Sequence, residues 1–154
     1  MNFGWEIIPG INASRGDRWV LYAQEDACRC AELHIYPGMG MKTGGFLWKG
    51  KWYTPAEPAW SRFLQGVPSF GAPILFPTPN RVRDNCFTFQ GNRYSMTKNG
   101  APHALHGVAY DSQWDWMEPR AEVEFAEMRG RLEILPGTEN WEAFPFRCRL
   151  EAAY

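Results

Sequence analysis

A chain of 154 residues with 45% hydrophobic and 21% charged residues is one domain long and can bury a real core, which excludes a disordered tail. The net charge of −1 and the lack of any basic run exclude nucleic acid as a partner, because the electrostatic footprint of phosphate binding is missing. Aromatic residues reach 16%, with 8 Trp and 10 Phe, and such side chains suit the pleated, half-buried surfaces of a β-rich core.

Taken in chain order, the start Met1-Asn2-Phe3-Gly4-Trp5-Glu6 has no basic stretch followed by an apolar one, so no signal peptide is expected. No apolar run approaches the ~20 residues needed to span a bilayer. The expected location is therefore the cytoplasm. Residues 19–23 read as a short strand. Residues 27–36 alternate, with Ala27, Ala31, Leu33 and Ile35 on one face and Glu32 and His34 on the other. Pro37-Gly38-Met39-Gly40 breaks that strand, and residues 46–53 read as a hairpin turning at Lys49-Gly50-Lys51.

A turn or two near residues 61–65 is the only helix the pattern allows. Residues 86–90 and 93–96 form a second hairpin closed at Gly91-Asn92. Residues 120–127 and 131–135 form a third, joined through Arg129-Gly130. At the C-terminus Phe146, Cys148, Leu150, Ala152 and Tyr154 alternate with Arg147, Arg149 and Glu151, a strand with one buried face. It runs to the last residue, so an open sheet edge and an interrupted domain are expected. The whole reads as one all-β domain, residues 1–154, an antiparallel sandwich or barrel.

The four cysteines, Cys28, Cys30, Cys86 and Cys148, lack the spacing of a zinc site or redox pair. His34 shares strand parity with Cys28 and Cys30, but no fourth ligand accompanies them, so small buried thiols are the expected role. No metal or other cofactor is expected.

Polar chemistry concentrates in two clusters within residues 71–114. In Phe76-Pro77-Thr78-Pro79-Asn80-Arg81, two prolines stiffen the approach and present Asn80 and Arg81 on a rigid segment. Arginine offers a fork of donors for hydroxyls or carboxylates. A turn asparagine beside a surface ion-pairing arginine fits the same residues. In Pro102-His103-Ala104-Leu105-His106-Gly107, His106 precedes a glycine where the backbone can admit a ligand, and histidine suits proton traffic near neutral pH. A structural histidine is the competing reading.

The run GAPILFPTPNRVRDNCFTFQGNRY from Gly71, then HALHG from His103 and DSQW from Asp111, resembles the signature region of aldose 1-epimerases. The match rests on Asn80-Arg81, on Gly91 and Tyr94 in the hairpin, on Leu105-His106-Gly107, and on Asp111 and Trp114. It corresponds to the N-terminal half of a typical member. The resemblance implies a galactose mutarotase-like β-supersandwich, present here in part, with a pocket for a galactose- or glucose-type monosaccharide and no cofactor. It implies acid–base opening of the sugar ring and reclosure to either anomer. Arg81 and His106 would contact sugar hydroxyls, Asn80 would brace the loop, and His106 would carry the catalytic role. The family's catalytic acid and base lie beyond Tyr154, so the chain would lack the proton-transfer pair. A non-catalytic carbohydrate-binding sandwich, a hexose-6-phosphate 1-epimerase relative using Arg83, Arg93 or Lys98, and a degenerate self-associating fragment are the alternatives. Association through the open sheet edge, or with a missing C-terminal half, would follow.

Overall fold

The structure of the protein, a computed structural model, describes residues 1–10, 16–54, 71–98 and 103–154. Ten antiparallel strands make three sheets. The first sheet runs β1 (Asn2–Ile8), β2 (Arg18–Glu25), β3 (Cys28–Tyr36), β4 (Lys42–Trp48) and β5 (Lys51–Thr54) in sequential order. A two-stranded hairpin pairs β6 (Cys86–Phe89) with β7 (Asn92–Ser95), and the third sheet is ordered β10 (Cys148–Ala153), β9 (Ala126–Ile134), β8 (Asp115–Ala121). The segment expected to be helical, residues 61–65, lies outside the described residues. Among the described residues no helix is long and apolar enough to cross a membrane.

Strand alternation builds the core. Register pairs Trp5 with Leu21, Leu21 with Leu33 and Trp19 with Ile35, so these side chains share one face of the first sheet. β8 and β9 pack over β1 and β2 on that face. Trp19 sits 4.3 Å from Trp116 and 5.6 Å from Trp5 between ring centroids, within the range for favourable aromatic contact. Met41, Ala109, Trp114, Met128 and Leu132 complete the buried cluster. The result is a two-layer sandwich.

The structure departs from the sequence pattern in four places. β1 forms although its alternation is weak, because every residue of it pairs with β2. The third hairpin turns at residues 122–125, where Glu122 N–H donates to the Phe125 carbonyl at 2.8 Å, and not at Arg129-Gly130. Gly130 is a strand residue on β9, and a Cβ there would meet the Met41 sulfur at 2.6 Å, so this glycine marks close packing and not a turn. The cysteines are not a set of buried thiols either. Cys28 is exposed and the other three are partly buried. Finally, on the Glu32–His34 face, which alternation sets opposite Ala31, Leu33 and Ile35, His34 is buried, 3.1 Å from the Glu32 carboxylate and edge-on to Trp52.

Candidate functional site

The two polar clusters meet. Arg81 and Leu105 form an isolated antiparallel bridge, with His106 N–H donating to the Asn80 carbonyl at 3.3 Å and Val82 N–H to the Ala104 carbonyl at 3.1 Å. Phe76 bridges Gly107 in parallel, its carbonyl accepting from Val108 N–H at 2.6 Å. The Phe76–Pro77 peptide is cis. Arg81 and His106 are therefore carried on neighbouring main-chain segments whose register is set by backbone hydrogen bonds. The proline-rich approach cannot donate at Pro77 or Pro79, so its carbonyls are what it offers to the second segment.

Asn80 and Arg81 are exposed and His106 is half-buried. The Asn80 Oδ1 accepts from the Arg81 N–H at 2.8 Å, a contact local to the loop. His106 lies in the left-handed region at φ +64°, unusual outside glycine, and Gly107 follows at φ +71°. A Cβ on Gly107 would lie 2.0 Å from the Phe76 carbonyl oxygen, so only glycine permits the close approach of these segments. The imidazole Nδ1 is 3.0 Å from the Pro79 carbonyl. A carbonyl only accepts, so Nδ1 carries the hydrogen in that contact and Nε2 keeps its lone pair in the neutral ring.

Two residues absent from the sequence reasoning stand behind His106. The Tyr110 ring is edge-on to the imidazole at 5.7 Å, and the Lys42 ammonium lies 5.6 Å from the Tyr110 ring centroid. Lys42 is 2% exposed. Burial pushes its ammonium pKa down, with Asp111 acting in the opposite sense, and burial followed by Asp111 pushes the Tyr110 phenol up. The signal for Lys42 is its place between Met41 and Thr43-Gly44-Gly45, a long cation among small residues with room to fold inward. Gly40 joins this wall, its N–H donating to the Ser112 carbonyl at 2.8 Å.

The remaining motif residues hold the frame. Tyr94 stacks on Phe87 at 5.2 Å and meets Phe146 at 5.2 Å, seating the β6–β7 hairpin. Gly91 sits in that turn at φ +78°. Trp114 is fully buried and donates from Nε1 to the Ala109 carbonyl at 3.3 Å. Asp111 pairs with Lys98 at 3.3 Å, and Lys98 also reaches Glu139 at 3.4 Å, so that ammonium is committed to two carboxylates. Arg83 and Arg93 are exposed. His103 is exposed. Among the described residues no three His, Cys, Asp or Glu side chains group as a metal site. Two open grooves, of about 430 and 490 Å³, lie along the sheets and neither is lined by Asn80, Arg81 or His106. Among the described residues Asn80 and Arg81 form an exposed polar ledge beside the half-buried His106.

Comparison with known proteins bears on the fold and the family. No curated protein sequence matches the chain. Among solved structures, a galactose mutarotase-like protein from Clostridium acetobutylicum superposes with TM-score 0.75 at 21% identity, covering 99% of this chain and 45% of its own. Galactose 1-epimerase from Lactobacillus acidophilus gives TM-score 0.67 at 17% identity, with 99% and 44% covered. A protein from Synechocystis sp. PCC 6803 gives 0.64 at 25% identity, with 88% and 43% covered. The chain spans less than half the length of each of these proteins. The aldose 1-epimerase family model matches residues 51–154, well over half of the chain and the whole of the candidate site. The chain therefore belongs to the aldose 1-epimerase family.

Proposed function

We propose that this chain supplies the sugar-gripping part of an aldose 1-epimerase site, with Arg81 and His106 contacting the hydroxyls of a galactose- or glucose-type monosaccharide and Asn80 bracing their loop. The observation that carries this reading is the Arg81–Leu105 bridge, which sets the guanidinium segment beside the imidazole segment. Arg81 is a permanent donor, and His106, anchored through Nδ1, turns an accepting Nε2 outward. Ring opening needs a base at the C1 hydroxyl and an acid at the ring oxygen, held apart with different proton affinities. His106 is the group here suited to proton exchange with a bound sugar. The other ionisable residues on which the match rests are engaged elsewhere, Asp111 with Lys98 and Tyr94 in the β6–β7 hairpin, so sugar binding rather than turnover is the expected property of these 154 residues.

The test is calorimetric titration with D-galactose and D-glucose, paired with polarimetry of fresh α-anomers against a buffer blank. Saturable binding is expected, weakened about tenfold or more in Arg81→Ala and in His106→Ala, since each removes a hydrogen bond made partly by a charged or directional group. Mutarotation at the blank rate is expected. Absence of saturable binding, or binding indifferent to both substitutions, would overturn the proposal. A rate above blank that vanishes in His106→Ala would show that a working acid–base pair lies within the chain.

A further inference from the structure

Among the described residues the segments bearing Arg81 and His106 share few backbone hydrogen bonds, and besides the His106 ring on the Pro79 carbonyl the Asn85 side chain adds to them. Asn85 lies at the end of a short 3-10 turn, Arg83–Asn85, in the left-handed region at φ +54°. Its N–H donates to the Val82 carbonyl at 3.1 Å, one residue beyond Arg81. Its side-chain Oδ1 accepts from the Ala104 N–H at 2.8 Å, two residues before His106. Its own carbonyl accepts from Met96 N–H at 2.8 Å, just past β7. One residue thus joins the arginine loop, the histidine segment and the hairpin.

The Ala104 peptide shows why a side chain is used. Its carbonyl is taken by Val82 N–H, and the ladder partner of its own N–H would be the Val82 carbonyl, which accepts from Asn85 N–H instead. The chain turns away there into residues 83–85, and the Asn85 amide oxygen fills the vacated rung. Asparagine suits the place for two separate reasons. It tolerates positive φ better than most residues, and its short amide imitates a backbone acceptor. Ala104 is buried, so its N–H would otherwise lack a partner.

We infer that Asn85 is a positioning residue for the proposed sugar site, its amide oxygen holding the His106 segment in register with Arg81. It touches neither sugar nor reacting atom and acts through Ala104. The inference rests on the proposed sugar-binding role of Arg81 and His106.

The backbone conformation and the side-chain acceptor can be separated by substitution. Asn85→Gly keeps and even eases the left-handed backbone but removes the acceptor. Asn85→Asp keeps an acceptor oxygen. Two measurements are made on each variant: amide hydrogen exchange at Ala104 by NMR, and calorimetric titration with D-galactose. Asn85→Gly is expected to speed Ala104 exchange at least tenfold, to weaken binding about fivefold and to lower the urea midpoint through the unpaired Ala104 N–H, while Asn85→Asp keeps all three near the parent. If Asn85→Gly leaves Ala104 exchange and binding at parent values, the positioning role is overturned. If it lowers the urea midpoint and Asn85→Asp lowers it equally, the residue is merely structural and the role is likewise overturned. Should the parent bind no sugar, the carbohydrate reading fails by itself, and the Ala104 exchange rate still decides whether the amide holds the two segments.

Discussion

At the scale of single residues, two glycines show how differently the same residue type is used. Gly107 sits at φ +71° with its missing Cβ 2.0 Å from the Phe76 carbonyl oxygen, a backbone atom that cannot move without breaking the bridge between the two segments. Gly130 has ordinary strand geometry, and its missing Cβ meets the sulfur end of Met41, a flexible side chain. Gly107→Ala is therefore expected to cost about 3 kcal/mol or more, combining left-handed strain with a backbone clash. Gly130→Ala should cost about 1 kcal/mol as the thioether repacks. Urea unfolding of the pair decides the matter, and equal losses would sink the distinction.

At the scale of elements, the edge strand β1 is tied to β3 across β2. Arg29 on β3 bonds Glu6 on β1 at 2.9 Å, and its guanidinium lies 4.2 Å over the Tyr22 ring on β2. Gly4 makes room for that ring, since a Cβ there would lie 2.5 Å from the Tyr22 phenol. The hydrogen bond from Arg29 holds the Glu6 carboxyl below its ordinary pKa. A depressed carboxylate contributes its stability above the ordinary carboxylate range and loses it as pH falls through the lowered value. With both side chains substantially solvated the contribution is about 0.5 kcal/mol, and it is screened by salt. The parent is expected to exceed Glu6→Gln by that amount in urea at neutral pH, with the gap closing as pH falls through the lowered carboxyl value. A gap that persists in acid would show that the ion pair is not its source.

The same elements show what the sequence could carry. Period-2 alternation located β3 and the terminal strand, and turn residues located the β4–β5 and β6–β7 hairpins. It failed at β1, where Gly4 and Trp5 interrupt the pattern for reasons residing on β2 and β8. It failed also at Gly130, where a glycine reads as a turn unless the packing of Met41 is known. Asn80, Arg81 and His106 were legible through their motif. Lys42, Asn85 and Tyr110 were not, since their relation to the site depends on which segments the fold sets side by side.

At the scale of the whole molecule, five strands face three. The inner face of the first sheet extends past the cover given by β8, β9 and β10, leaving the groove of about 430 Å³ lined by Phe3, Leu21, Phe46, Trp48 and Phe125. Phe46 and Trp48 are 40% and 49% exposed. Apolar surface of this kind binds hydrophobic dyes. Anilinonaphthalene sulfonate is expected to fluoresce with the native chain, and Trp48→Glu to lower the signal roughly twofold without shifting the unfolding midpoint. A signal unaffected by Trp48→Glu would place the dye elsewhere.

Tyr154 is hydrogen-bonded through its backbone to Met128 in both directions and through its phenol to the Met41 carbonyl at 2.9 Å, a partner 113 residues earlier in the chain. Met41 adjoins Lys42, so the wall behind His106 is fastened by the last residue of the sequence. This sets an order of events in time. The strands of the first sheet pair with sequence neighbours and can form early, whereas the ledge carrying Arg81 and His106 gains its backing only when distant ends of the chain find one another. During synthesis the first sheet can therefore emerge and pair before Arg81 and His106 gain this backing, and refolding followed at Trp19 should run ahead of refolding followed at Tyr154.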